Sequence, residues 1–154
     1  MNGSFDIISE EDVLTVGNEI SRMTRDKGFS ILDRIQIRTA FSELARNMVV
    51  HARGGKVHYT LLDDWGLQLI FEDRGPGIVD VGKAMTTGFS TTKSMGLGLP
   101  GSKKLADDFH VVSKPGEGTR ITFFRKIRHD QMLNPNEGNN NGKKQDFSRS
   151  EKNG

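Results

Sequence analysis

Two runs of helical period followed directly by two runs of strand period constrain this chain before any motif is read. Val13, Val16, Ile20 and Met23 recur at spacings of three and four, the signature of one buried helix face. A second such run opens near Ser30–Asp33 and carries Ile35, Ile37, Phe41, Leu44, Ala45 and Met48. Then "KVHYTLLDD" and "GLQLIFED", rich in β-branched and aromatic residues, are separated by "DDWG". A connection that short joins antiparallel neighbours, because parallel strands need a crossover of roughly a dozen residues or more. The chain is therefore expected to be an α/β domain with a hairpin at its centre.

Local signals set the boundaries. "FDIIS" is a short apolar run, and "SEED" supplies an N-cap with acids in the first helical turn. Gly28 ends the first helix near Lys27, and "RGG" ends the second near Ala52. From Arg74 to Gly98 the chain is dense in Gly, Thr and Ser, far longer than the roughly four to six residues of an ordinary connection. "LPGSKKLADDF" predicts a short helix entered through a Pro, "HVVSK" a strand, "PGEG" a turn and "TRITFFRKI" a last strand. Beyond Arg128, "NPNEGNNNGKKQDFSRSEKNG" has almost nothing to bury, so 1–128 is expected to fold and 129–154 to be a disordered tail.

With 154 residues and 34% hydrophobic content, one modest core is expected. The 22 Lys+Arg against 20 Asp+Glu are scattered, which gives no phosphate-tracking stripe for nucleic acid. Absence of cysteine excludes disulfides and thiolate metal sites, and no apolar run nears the ~20 residues of a membrane span. Met1–Asp12 is acidic and lacks an apolar stretch like that of a secretory signal, so a cytoplasmic protein is expected.

Three stretches bear chemistry. In "FSELARNMVVHA", Glu43 and Asn47 lie about 40° apart around the helix, so both can reach one ligand or simply form a polar edge. "EDRGPGI" ends a strand on Asp73 and follows it with Gly75 and Gly77. A carboxylate there can accept from an adenine amino group, and the glycines let backbone approach a purine; a plain surface turn uses the same residues. "GLGLPG" matches G-x-G-x-x-G, yet "TTGFSTTKSM" before it is no strand and no acid ends "HVVSK", so a dinucleotide fold is not supported. Glycines leading into a helix still suit phosphate. A Walker A motif and the loops of eukaryotic-type protein kinases are missing.

The order "SELARN…H", "EDRGPG", "GFSTTK", "GLGLPG" resembles the N, G1, lid and G2 boxes of the GHKL ATPase superfamily, across roughly residues 5 to 127. "SELARN" and "GLPGSKKLADDF" look most like the RsbT-type serine/threonine switch kinases of bacterial stress signalling. The resemblance implies a two-layer sandwich of the Bergerat type, with helices on one face of a mixed, largely antiparallel sheet and a glycine-rich lid closing over ATP. It implies that Asn47 ligates Mg2+, that Glu43 takes the proton of the attacking hydroxyl and that Asp73 holds the adenine amino group. Gly75 and Gly77 would shape the purine pocket, and Gly96, Leu97 and Gly98 would lie at the phosphates with Thr91 and Thr92 of the lid. Lys93 is either a γ-phosphate partner or a solvated loop lysine, and His51 is expected to pack near the site or to make a simple polar contact rather than to catalyse.

The implied activity is transfer of the ATP γ-phosphoryl group to a Ser or Thr of a STAS-domain regulator in a partner-switching pathway, with a downstream activator protein as a further partner and neither nucleic acid nor membrane. Alternatives are an RsbW-like anti-sigma factor kinase, a histidine-kinase catalytic domain, disfavoured because no His precedes His51, and a nucleotide-dependent binding module without chemistry.

Overall fold

The structure is a computed structural model that describes residues 1–86 and 98–128. Its elements run β1 (Asn2–Ile7), α1 (Glu10–Lys27), α2 (Ile31–Ala52), β2 (Gly55–Leu62), β3 (Gly66–Asp73), α3 (Val81–Ala84), α4 (Leu99–Lys104), β4 (Asp108–Lys114) and β5 (Gly118–Lys126). The strands form one sheet in the order β1-β2-β3-β5-β4. Each pairing is antiparallel, so the mixed, largely antiparallel sheet that the resemblance implied has no parallel member among the described residues.

Strand alternation separates the two faces of the sheet. Val57 and Leu61 of β2, Leu67, Leu69 and Phe71 of β3, and Ile121 and Phe123 of β5 are buried beneath the helices. Lys56, His58, Glu72 and Arg120 fall on the other face. From α1, Val13, Val16, Ile20 and Met23 join the core, and from α2, Ile37, Phe41, Leu44, Ala45 and Met48. Ile35 departs from expectation at 58% exposed: at 100° per residue it lies about 200° from Ile37, on the far side of α2. Phe41 packs on Phe71 with ring centroids 5.9 Å apart, which seats the middle of α2 over β3.

The helix ends are chemically defined. Ser9 Oγ accepts from Asp12 N–H at 3.3 Å, while Asp12 Oδ2 accepts from Ser9 N–H at 3.2 Å and from Ile8 N–H at 2.9 Å. These backbone donors, Ile8 first, hold the Asp12 carboxyl below its ordinary range. Ser30 caps α2 by accepting from Asp33 N–H at 3.1 Å.

The link between α2 and the far end of the sheet is a buried ion pair. Arg125, 7% exposed, donates through Nη2 to Asp33 Oδ1 at 2.5 Å and to Gln36 Oε1 at 2.6 Å, and through Nη1 to Leu105 O at 2.6 Å. One guanidinium thus ties α2, β5 and the C-terminal end of α4 together. The helix α4 is shorter than "LPGSKKLADDF" suggested, since Asp108 and Phe109 already belong to β4. The long Gly-, Thr- and Ser-rich connection after β3 contains the single turn α3, capped by Asp80 Oδ1 accepting from Lys83 N–H at 3.0 Å.

Candidate nucleotide site

A cavity of about 280 Å3 opens between α2 and the end of the sheet where β3 exits. Its helical wall is Leu44, Asn47, Met48 and His51, positions spaced three, one and three, so they share one face of α2. Leu44 and Met48 are buried, and Asn47 and His51 are the polar members. The sheet contributes Phe71, Asp73, Thr119 and Ile121, and the loop after β3 contributes Pro76, Gly77, Ile78 and Val79. An apolar cavity with few polar groups suits a flat ring with a polar edge, and its volume is near the lower end of the ~300 to 1,000 Å3 of small-molecule pockets.

Asp73 is the last residue of β3, opposite Thr119 in the β5 register. Its Oδ1 accepts from Gly75 N–H at 2.9 Å and from Thr119 N–H at 3.3 Å. Two backbone donors on one oxygen fix the carboxylate plane, and Oδ2 has no hydrogen-bond partner among the described residues. An ionised carboxylate offers only acceptors, so Oδ2 is suited to an N–H donor entering the cavity.

The glycines have specific steric reasons. A Cβ at Gly75 would come 2.5 Å from Cβ of Ala52, so the missing side chain lets the loop lie on the last turn of α2. Gly77 has φ +74°, in the left-handed region, and a Cβ there would meet the carbonyl of Lys114. Gly98, at φ +59°, precedes α4, and a Cβ on it would sit 2.9 Å from Glu43 Oε2. Gly98 is therefore brought against α2 beside Glu43.

The structure thus joins Asn47, His51, Asp73 and Gly77 around one cavity, with Gly75 outside the lining and packed on Ala52. Glu43 is one turn from Asn47 but outside the cavity lining. It is half-exposed, with Arg46 Nη1 3.9 Å from its Oε1 and Arg46 in turn 3.4 Å from Glu10. Thr91, Thr92, Lys93, Gly96 and Leu97 lie outside the described residues. Thr119, which the sequence reading did not single out, is a cavity residue; its only sequence signal is its place at the start of the last strand.

Among the described residues no group of three or more His, Asp or Glu could hold a metal. An amide oxygen such as that of Asn47 fits Mg2+, which binds few protein ligands and keeps water and phosphate oxygens in its shell. No helix of the described residues is long and apolar enough to cross a membrane.

Residues 32–129 match the model of the histidine kinase-, DNA gyrase B-, and HSP90-like ATPase family. The chain is 40% identical to the serine/threonine-protein kinase RsbT of Bacillus subtilis (strain 168), over 79% of this chain and 94% of that protein. It is 30% identical to an anti-sigma F factor of Thermoanaerobacter sp. (strain X514), over 62% of this chain and 71% of that protein. Part of the solved chain comprising the RsbU and RsbW domains of Rv1364c from Mycobacterium tuberculosis shares its fold, with TM-score 0.58 at 20% identity, covering 83% of this chain and 33% of that one. Matched along nearly the full length of a relative and across the helix, hairpin and strands that build the cavity, the chain belongs to the histidine kinase-, DNA gyrase B-, and HSP90-like ATPase family, as its resemblance to the RsbT-type members implied.

Proposed function

We propose that the protein is an ATP-dependent serine/threonine kinase of a bacterial partner-switching pathway, acting in the cytoplasm on a Ser or Thr of a STAS-domain regulator. The observation that carries this reading is the cavity that sets Asn47 of α2 beside Asp73 of β3, with one Asp73 oxygen unpartnered among the described residues. Likeness to RsbT over nearly its whole length supports the kinase assignment.

In this reading Asp73 Oδ2 accepts from the adenine amino group, and Gly77, by turning at positive φ against Lys114, shapes the loop that borders the ring. Asn47 would hold Mg2+ through its amide oxygen, and the ion would supply charge neutralisation at the phosphates. Gly98, with Gly96, Leu97, Thr91, Thr92 and Lys93, serves the phosphates. Glu43 takes the proton of the substrate hydroxyl as its oxygen bonds to the γ-phosphorus and ADP departs. The kinase unit is residues 1–128. Ending the chain at Arg128 should leave nucleotide binding unchanged, because β5 is complete at Lys126 and Arg128 closes on Asp107 at 3.7 Å.

The test is incubation with γ-labelled ATP, Mg2+ and purified STAS-domain proteins. Label on Ser or Thr of one of them, lost in Glu43→Ala, is expected. Mg·ATP binding with no transfer to any would leave a nucleotide-dependent binding module. A second reading, an RsbW-like kinase that also binds a sigma factor, is favoured by the anti-sigma F relatives. Capture of a purified sigma factor in the presence of ADP would select it.

A further inference from the structure

Beside Asp73, β4 and β5 meet in a small hydroxyl network that the roles above do not use. Ser113 Oγ accepts from Ile78 N–H at 2.7 Å, lies 3.1 Å from Gly118 O and lies 2.9 Å from Thr119 Oγ1. A hydroxyl has one proton to give and two lone pairs to receive with. Gly118 O can only accept, so the 3.1 Å contact is a hydrogen bond only if Ser113 donates to it. Ile78 N–H occupies one lone pair of Ser113, and the other is left for the Thr119 proton. This single arrangement fills every valence of Ser113. Reversing the Ser113–Thr119 bond would leave two acceptor oxygens facing each other at Gly118.

Thr119 has then spent its proton on Ser113 and meets the cavity with lone pairs alone. Its own N–H donates to Asp73 Oδ1, so hydroxyl and carboxylate are held together at one end of the cavity. We propose that Ser113 is a positioning residue for base specificity: by fixing the Thr119 hydroxyl as an acceptor, it makes this end of the cavity a pair of acceptors that takes a purine with an exocyclic amino group and disfavours one with a carbonyl there. The inference rests on the nucleotide reading of the cavity. An amino group brings two N–H donors to Asp73 and Thr119, whereas a carbonyl faces oxygen on both sides. Sites built around a specific hydrogen bond discriminate strongly because the wrong ligand leaves buried polar groups unpaired.

Ser113 also ties down Ile78 of the cavity wall, so a purely structural role would weaken every nucleotide alike. The ratio of affinities for two bases separates the roles. ADP and inosine diphosphate differ at the ring position in question, amino against carbonyl, and calorimetry on the full chain with Mg2+ reads both. The wild type should bind ADP more tightly by about 100-fold. Ser113→Ala frees Thr119 to turn and donate, so the ratio should fall by about 10-fold or more. Ser113→Thr keeps the hydroxyl and should keep the ratio. Equal weakening of both nucleotides by Ser113→Ala would overturn the proposal. Should that variant fail to fold, Thr119→Val decides: removal of the hydroxyl acceptor must narrow the ratio, and an unchanged ratio overturns the proposal as well. Failure of the wild type to bind ADP is a different result, which would remove the nucleotide reading and this inference with it.

Discussion

The sheet carries a hollow on each face near its Asp73 end, and the larger one is the poorer candidate site. On the face away from the helices, about 800 Å3 is bounded by Asp6, Lys56, His58, Glu72, Lys114 and Arg120 among others. Most of its polar side chains already have partners: Lys56 lies 3.6 Å from Asp6, Arg120 3.3 Å from Glu72, His58 3.2 Å from the other Glu72 oxygen, and Lys114 4.0 Å from Glu117. The helical-side cavity is about a third of that volume and is walled largely by buried apolar groups; Asp73, whose Oδ2 has no hydrogen-bond partner among the described residues, stands with Thr119 on the edge the two hollows share, and only on the helical side does that oxygen meet apolar surroundings. What marks a ligand site here is unfilled hydrogen-bonding capacity in apolar surroundings rather than concave volume.

The sharpest way to strain this contrast is at the reacting end. Glu43→Ala should lose about 10² to 10⁴ in transfer rate while ADP affinity holds, because a base acts on the incoming hydroxyl rather than on the bound ring. Asn47→Ala, one turn on, should lose Mg-dependent binding as well. Labelled-ATP transfer and calorimetry on both variants check the split, and equal damage by both would reduce "SELARN" to a polar helix edge.

Asp73→Asn comes next. Oδ1 must keep accepting from Gly75 and Thr119, so the amide can only set its NH2 where Oδ2 was. Donor then faces donor, and losing a charge-assisted bond costs about 1.5 to 3 kcal/mol of ADP affinity. Unchanged ADP binding by calorimetry would remove Asp73 from the base site.

Ser9→Ala serves as a control away from both hollows, lowering stability in urea by about 0.5 to 2 kcal/mol through loss of the α1 cap, with ADP affinity intact. The cap should also depend on pH. Asp12 has a lowered carboxyl pKa in the fold, so its contribution is full above the unfolded value of about 4 and fades as pH falls through the folded one. Urea midpoints of wild type and Asp12→Asn should therefore converge on acidification. The smallest effect is expected on the open face: Glu72→Ala breaks two half-exposed pairs, worth about 0 to 1 kcal/mol, and should leave nucleotide binding unaltered.

Periodic features were legible in the sequence. Helices, hairpin and strands announce themselves by spacing, and Asp73 by ending an apolar strand just before glycines. Ile35 misled because apolar residues on opposite sides of a helix look alike unless the angle from Ile37 is taken. The Arg125–Asp33 pair could not be read, since it joins charges 92 residues apart that only the finished sheet brings together. Thr119 and Ser113 were hidden for the same reason: ordinary strand residues acquire their roles from the register that sets Thr119 opposite Asp73 and beside Ser113.

The central claim is that the helical-side cavity, and not the broader hollow behind it, takes the nucleotide. Titration of the 15N-labelled chain with Mg·ADP tests it directly, because the two faces report through different amides. The account predicts the largest shifts at Gly77 and Ile78 and in the α2 turn from Asn47 to His51, with Lys56, His58 and Arg120 little moved. Shifts concentrated at Lys56, His58 and Arg120, with Gly77 and Asn47 unmoved, would contradict it.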